Sequence, residues 1–133
     1  MAELTEISGK VRQYMKEHEE EFLGQFRHLH QHPELSFQEH ETTAYIKKKL
    51  EGWGIEILDI GLETGVVGLL KGGKEGPCIA LRADIDALPV LEESTSEYPS
   101  QNKGVMHACG HDTHMASLLG AAQILAAFRD DLN

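Results

Sequence analysis

Residues 106–114 read Met-His-Ala-Cys-Gly-His-Asp-Thr-His, which places one thiol, three imidazoles and a carboxylate in a single short stretch. A thiolate and an imidazole two positions apart are ligands that suit a borderline-soft divalent metal such as Zn²⁺. An Ala- and Leu-rich run over residues 112–128 follows and is apolar around much of its circumference, which predicts a well-buried helix. The sequence therefore predicts a metal site in the turn that leads into this helix.

Cys109 and His111 are the predicted metal ligands within this turn. A divalent metal lowers the pKa of a thiol enough for it to bind as thiolate, and His111 would bind as neutral imidazole. Asp112 stands where a helix N-cap is expected, so it could cap the helix or orient a ligand imidazole. His114 is a further candidate for contact with a ligand or with substrate. A single Cys or His can also be a packing or capping residue, and that alternative stays open here.

A second group of polar residues lies in residues 81–89, Leu-Arg-Ala-Asp-Ile-Asp-Ala-Leu-Pro, at the end of a predicted strand. Asp84 and Asp86 are two positions apart, so they point to the same side while the chain stays extended. Ligand sites in α/β sheets gather at the carboxyl ends of strands, and Asp84 could orient a metal-bound imidazole there. Alternatively, Arg82 and the two carboxylates are polar groups that cap the following turn.

A third group is the alternating set His28, His30 and His32. Alternate histidines can form a metal-binding tract. They also fall at a predicted helix end, where the helix dipole favours His and its ring can bond the last carbonyls. The structural role is the favoured interpretation.

The remaining pattern predicts the α/β class, with helices packed on a mixed sheet. Helical spacing of apolar residues covers 5–29, with a break possible at His18 or Gly24, and Pro33 ends the segment. Ser36 and Glu39 form a Ser-x-x-Glu capping box for a second helix that runs to about residue 52. Short apolar runs bounded by Gly or Pro predict strands at 55–60, 66–70, 78–81 and 105–108.

Composition sets limits on function. The 133 residues suit one modest domain, and 41% hydrophobic with 26% charged residues is ordinary for a globular protein. A net charge of −10 argues against nucleic-acid binding, which needs clustered Lys and Arg. No apolar run approaches the ~18 residues of a membrane span, and the N-terminus lacks a signal-peptide pattern. We therefore expect a cytoplasmic protein in which Cys78 and Cys109 are reduced.

Three motifs resemble the metal-dependent aminoacylase and carboxypeptidase family of zinc peptidases, in the branch of hippurate hydrolase, N-acyl-amino-acid amidohydrolases and auxin-conjugate hydrolases. They are residues 28–39, with His-Pro-Glu-Leu-Ser-Phe at 32–37, and the stretches 82–89 and 106–112. The resemblance implies that residues 1–133 are the N-terminal portion of the catalytic domain of a di-metal aminopeptidase-like fold. The family's lid or dimerisation domain is absent from these residues.

The resemblance also implies hydrolysis of the amide bond of N-acyl amino acids, with hippurate-like or N-acetyl substrates. Family members hold two divalent metal ions (Zn, Mn, Co or Ni) around a bridging water. By that pattern Cys109 and His111 are metal ligands and Asp84 is the catalytic aspartate, whereas Asp86, Asp112 and His114 would support the ligands or contact substrate. We expect no nucleic-acid or membrane partner, and a homo-oligomer is possible.

The chain departs from the family in length, because family members supply a later Glu-Glu pair and further His ligands. With two ligands of its own, the chain is expected to bind metal weakly and to be nearly inert alone, since a catalytic zinc site normally has about three protein ligands. Two other classes stay open. One is a non-catalytic metal-binding or assembly module derived from that fold, and the other is an enzyme with Cys109 as nucleophile.

Overall fold

Helices dominate the computed structural model, which describes residues 2–133, with side chains from residue 5 onward. In this range the elements are α1 (Ala2–Glu17), α2 (Glu19–Gln31), α3 (His40–Gly52), β1 (Glu56–Leu58), β2 (Val67–Leu69), α4 (His111–Ala127) and a final 3-10 turn, Arg129–Asp131. The α/β class is confirmed. The sheet that these residues form is a two-stranded antiparallel pair, in which Glu56 lies opposite Leu69 and Leu58 opposite Val67.

The core lies where α2 and α3 pack against α4. Its buried members come from all three helices and from the residue just before β1, and they are Leu29, Leu50, Ile55, Met115 and Leu119. Met115 is only 1% exposed and Leu119 only 3%, which confirms the prediction of a buried C-terminal helix. Burying an aliphatic side chain of this size contributes roughly 1.5–3 kcal/mol, so α4 is anchored firmly behind the turn that precedes it.

The long first helix breaks at His18, one of the two positions that the sequence offered. His18 has φ −113°, and its Nδ1 lies 2.8 Å from the carbonyl oxygen of Tyr14. Its ring also stacks on the ring of Tyr14, with centroids 3.9 Å apart. The side chain thus adds a second contact to a carbonyl that already accepts the backbone N–H of His18 at 3.1 Å. Gly24 sits inside α2 without breaking it.

The predicted capping box is wrong, because α3 begins at His40 and not after Ser36. The carboxylate of Glu34 caps the helix instead. Its oxygens accept the backbone N–H groups of Glu41 at 3.1 Å and Thr42 at 2.6 Å, and the Thr42 hydroxyl at 2.7 Å. Ser36 is free of any capping role, and its hydroxyl donates to Asp86 across the molecule.

The strand predicted over residues 78–81 is wrong as well. The segment has no ladder partner among residues 2–133. All four residues of the segment are exposed, with Ile79 at 79% and Leu81 at 57%, so neither face is covered. A strand needs a neighbour for its backbone donors and acceptors, and apolar composition alone does not supply one. The strand predicted at 105–108 is reduced to a single antiparallel bridge between Met106 and Leu88.

The glycine pair Gly72-Gly73 lies against the last residues of the chain. The N–H of Gly73 donates to the carbonyl of Arg129 at 2.8 Å. A Cβ atom at Gly73 would lie 2.7 Å from the carbonyl oxygen of Asp130, and one at Gly72 would lie 2.8 Å from that of Leu132. These distances are shorter than any real Cβ contact, so the two backbones approach closely only because both residues lack side chains.

None of the helices within residues 2–133 combines the length and apolar character that crossing a membrane would require.

Candidate metal centre

The turn before α4 holds the two predicted metal ligands. Gly110 is the residue that caps α4, and it has φ 79°, a conformation that glycine adopts without steric cost. The predicted capping role of Asp112 is therefore wrong, because α4 already begins at His111. Cys109 precedes the glycine as an exposed, free thiol. The turn thus presents Cys109 to solvent and places His111 at the first position of a helix that the core holds.

His111 is oriented by Asp86. Its Nδ1 lies 2.9 Å from Asp86 Oδ1 and 3.0 Å from the Asp86 carbonyl oxygen. The Ser36 hydroxyl and other hydrogen bonds, including the one from His111, hold the pKa of Asp86 below its usual value despite its partial burial. An ionised carboxylate and a carbonyl can only accept, so Nδ1 carries the proton and donates it. In the neutral ring, Nε2 is then the nitrogen without a proton, which is the form that binds a metal.

Asp84 has a different neighbour. Its Oδ1 lies 2.5 Å from an Arg82 guanidinium nitrogen, and both side chains are substantially exposed. The structure therefore brings the second carboxylate of the pair, Asp86, into contact with His111, and gives Asp84 a contact with Arg82. A catalytic role for Asp84 stays a prediction.

Asp112 orients an imidazole, but the imidazole belongs to His30. Asp112 Oδ2 lies 2.7 Å from His30 Nδ1, and its other oxygen accepts the N–H of Thr113. The second ring nitrogen of His30, Nε2, lies 3.2 Å from a carboxylate oxygen of Glu92. The side chains of His30, Asp112 and Glu92 are 12%, 5% and 6% exposed. His30 therefore connects the first turn of α4 to the loop that contains Glu92.

This three-residue bridge was missed by the sequence interpretation, which treated the three histidines of α2 as one group. His28 and His32 do fit the structural role: His32 Nδ1 lies 2.7 Å from the His28 carbonyl oxygen, and His28 stacks on Tyr45 with centroids 4.0 Å apart. His30 follows buried Leu29 along the chain and faces α4 instead. In the sequence, the position of His30 next to the apolar residue Leu29 was the only indication that it faces the core.

His107, for which the sequence gave no function, is 4% exposed and lies beside this bridge. Neither of its ring nitrogens makes a hydrogen bond of acceptable geometry. Burial is the main cause that lowers its pKa, so the neutral imidazole is favoured there. His114 is exposed, and its ring centroid lies 5.8 Å from that of His111.

The bridge predicts a pH window of greatest stability. Hydrogen bonds from the Ser100 N–H and the Ser94 hydroxyl, with a contribution from His30, lower the pKa of Glu92 from 4.5 to about 2. Burial works to lower the pKa of His30, but its bonds to Asp112 and Glu92 outweigh burial and raise it above 6.5. Stabilisation by Glu92 is present above pH 4.5 and is lost as the pH falls towards 2. Stabilisation by His30 is present below pH 6.5 and is lost as the pH rises through its raised pKa.

We therefore expect the bridge to stabilise the fold most between pH 4.5 and 6.5. The measurement is urea unfolding across pH, for the wild type and for His30→Gln. The difference between the two in free energy of unfolding isolates the bridge from other titrating groups, and it should peak inside this window. A difference that does not vary with pH would contradict the prediction.

The side chains at this turn supply part of the ligand set that a divalent metal needs. Cys109 offers an exposed thiol and His111 a Nε2 atom freed by the Asp86 contact, and these are the soft and borderline ligands that Zn²⁺ prefers. Over the described part of the chain, however, no group of three or more His, Cys, Asp or Glu side chains is arranged to hold a metal ion. The described residues thus supply a pair of ligands and not a closed site.

Comparison with known proteins identifies a family whose model matches part of this chain. Residues 80–133, which include the Asp86 and His111 pair, match the model of peptidase family M20/M25/M40. An N-acetyl-L-cysteine deacetylase of Bacillus subtilis (strain 168) is 56% identical over 114 residues, covering 86% of this chain and 27% of that protein. An N-acyl-L-amino acid amidohydrolase of Geobacillus stearothermophilus is 45% identical over 123 residues, covering 92% of this chain and 33% of that protein.

A solved structure extends the match to the fold. The Bacillus subtilis YXEP protein, described as a dinuclear metal-binding peptidase from the M20 family, superposes with a TM-score of 0.84 at 50% sequence identity. The match covers 88% of this chain and 33% of that one. By its fold and motifs the chain is similar to proteins described as metallopeptidases and amidohydrolases. It is a relative of the M20 peptidase family, as the three motifs indicated, and it spans about a third or less of the length of these relatives.

Proposed function

We propose that this chain is the N-terminal portion of the catalytic domain of a metal-dependent amidohydrolase that cleaves N-acyl amino acids. The single observation that carries the proposal is the contact between His111 Nδ1 and Asp86 Oδ1 beside the exposed thiol of Cys109. A ligand histidine normally donates its other ring N–H to a carboxylate, and this pair has that arrangement. The names of the relatives, an acyl-amino-acid amidohydrolase and an N-acetylcysteine deacetylase, support the substrate class.

Each residue has a distinct task in this proposal. Cys109 and His111 hold the metal, and Asp86 keeps the His111 ring in the tautomer and orientation that binding needs. Asp84 remains the proposed catalytic aspartate, and His114 a residue that contacts substrate. Two divalent ions, of Zn, Mn, Co or Ni, would supply Lewis acidity towards the amide carbonyl and lower the pKa of a shared water. A reduced thiol is needed for Cys109 to bind, so we propose a cytoplasmic location.

The chain contains its own internal control for metal binding, because Cys78 is also an exposed, free thiol. We expect added Zn²⁺ or Mn²⁺ to slow alkylation of Cys109 and to leave alkylation of Cys78 unchanged, as read by mass spectrometry of the two peptides. His111→Ala should abolish the protection. Equal alkylation of both thiols with and without metal would contradict the proposed site.

Hydrolysis is measured on the natural protein that carries this sequence, with a panel of N-acetyl and N-benzoyl amino acids. Release of the amino acid that depends on added metal supports the amidohydrolase. Because the described residues supply only two ligands, we expect the 133-residue chain alone to bind metal weakly and to show little or no turnover. Protection of Cys109 without turnover in the natural protein would instead favour the metal-binding or assembly module, and metal-independent turnover lost on alkylation would favour a cysteine nucleophile.

A further inference from the structure

A strained turn between α2 and α3 lies against the residue that orients His111. The N–H of Gln38 donates to the Leu35 carbonyl at 2.9 Å, which closes a four-residue turn with Ser36 and Phe37 at its centre. Phe37 has φ 63° and is 88% exposed. A bulky residue at positive φ is uncommon, and an exposed aromatic ring gains nothing from burial that would offset the strain. The turn is therefore held in shape by contacts elsewhere.

Those contacts are with residues 86 and 87. The N–H of Ala87 donates to the Glu34 carbonyl at 2.7 Å, and Leu35 forms a parallel bridge with Ala87. Beside this bridge the Ser36 hydroxyl donates to Asp86 Oδ2 at 2.7 Å. The other oxygen of the same carboxylate, Oδ1, accepts a hydrogen bond from His111 Nδ1 at 2.9 Å. Asp86 is thus held from two sides, by Ser36 on one oxygen and by His111 on the other.

We propose that Ser36 is a positioning residue for the metal site, acting through Asp86 to fix the orientation and tautomer of His111. A carboxylate on a single rotatable bond can turn away from its imidazole partner, and a second hydrogen bond to the far oxygen removes that freedom. The strained turn places the Ser36 hydroxyl where this contact is made.

The effect of Ser36 on metal binding rests on the proposed function, whereas its effect on the tautomer of His111 does not. The measurement of the tautomer and the measurement of metal binding can therefore fail independently. The chain labelled with ¹⁵N-histidine is studied by NMR, free of metal and substrate. In the wild type we expect His111 to carry its proton on Nδ1. In Ser36→Ala the population should shift towards the Nε2–H form, and in Ser36→Thr, which keeps the hydroxyl, the wild-type pattern should return.

The matched control is Ser96→Ala, which removes a loop hydroxyl that accepts the N–H of Tyr98 and lies outside this arrangement. It should leave the His111 signals unchanged. A wild type with Nε2–H at His111, or a Ser36→Ala chain whose His111 signals match the wild type, would overturn the proposal. If Ser36→Ala disturbs the fold, Phe37→Gly relieves the strain while keeping the serine. The proposal is supported if Phe37→Gly keeps the Nδ1–H form of His111 and the double variant Phe37→Gly/Ser36→Ala loses it. The proposal is refuted if His111 has the same tautomer in both variants.

Zn²⁺ affinity, read from protection of Cys109 against alkylation, gives a second result. Loss of partners that support a metal ligand typically costs about 10–100-fold in affinity, and for Ser36→Ala we expect about tenfold. A tautomer shift together with unprotected Cys109 in the wild type would support the role of Ser36 and refute the proposed metal site. Protection in the wild type that Ser36→Ala does not weaken would refute the role of Ser36 at the metal site.

Discussion

Replacing His30 with alanine is expected to lower the free energy of unfolding by about 3 kcal/mol at mildly acidic pH, the low end of the range for breaking a buried ion pair. His30 stands between the carboxylates of Asp112 and Glu92, and all three side chains are at most 12% exposed. Without the imidazole, two carboxylates face each other with no positive charge between them. The measurement is urea unfolding followed by circular dichroism, at a pH where His30 is protonated.

His40→Ala is the matched control, because His40 is exposed at the start of α3. It should change the free energy of unfolding by less than about 0.5 kcal/mol. Adding Glu92→Gln to His30→Ala should restore part of the loss, since it removes one of the two unpaired charges. Similar small losses for His30→Ala and His40→Ala would show that the bridge contributes little to stability.

Replacing Met115 with alanine is expected to cost about 2–5 kcal/mol, the usual range for emptying a large buried position. Met115 is 1% exposed and lies one turn after the metal-site residues of α4, in the core that it shares with Leu29 and Leu119. Loss of this anchor should also loosen the turn that holds Cys109. The measurement is again chemical unfolding, with the thiol reactivity of Cys109 as a second readout.

Met15→Ala provides a control of the same residue type, because Met15 is 46% exposed on α1. We expect a loss below about 1 kcal/mol and no change at Cys109. Comparable losses at the two methionines would contradict the view that α4 is the buried element on which the site depends.

The elements with strong local signals were predictable. Residues 112–128 are apolar on most sides, and the structure buries the helix His111–Ala127 at the centre of the core. The helix breaks at His18, one of the two predicted positions, where the ring of His18 contacts and stacks on the preceding turn. Gly24 does not break α2, because a glycine inside a helix costs only about 1 kcal/mol. Strand formation at 78–81 failed because pairing depends on a partner far along the chain, which local composition does not specify.

The residues of the candidate site were likewise predictable only in part. The identity of Cys109 and His111 as candidate ligands follows from residue type and spacing alone. The partner of His111 does not, because Asp84 and Asp86 are equivalent in an extended strand, and only the contact of residue 87 with the turn at 34–37 decides between them. His30 and Glu92 are 62 positions apart, so no sequence pattern could have joined them.

The glycine pair that lies against the C-terminal residues has a consequence for tolerance to substitution. Gly72 and Gly73 are exposed, and exposed glycines in a loop are normally expected to accept most replacements. Here even alanine would place its methyl group within 3 Å of the backbone at Leu132 or Asp130. In a library that samples every position, this surface pair should therefore be as restrictive as the core, and solvent exposure would be the wrong guide to where mutations are silent.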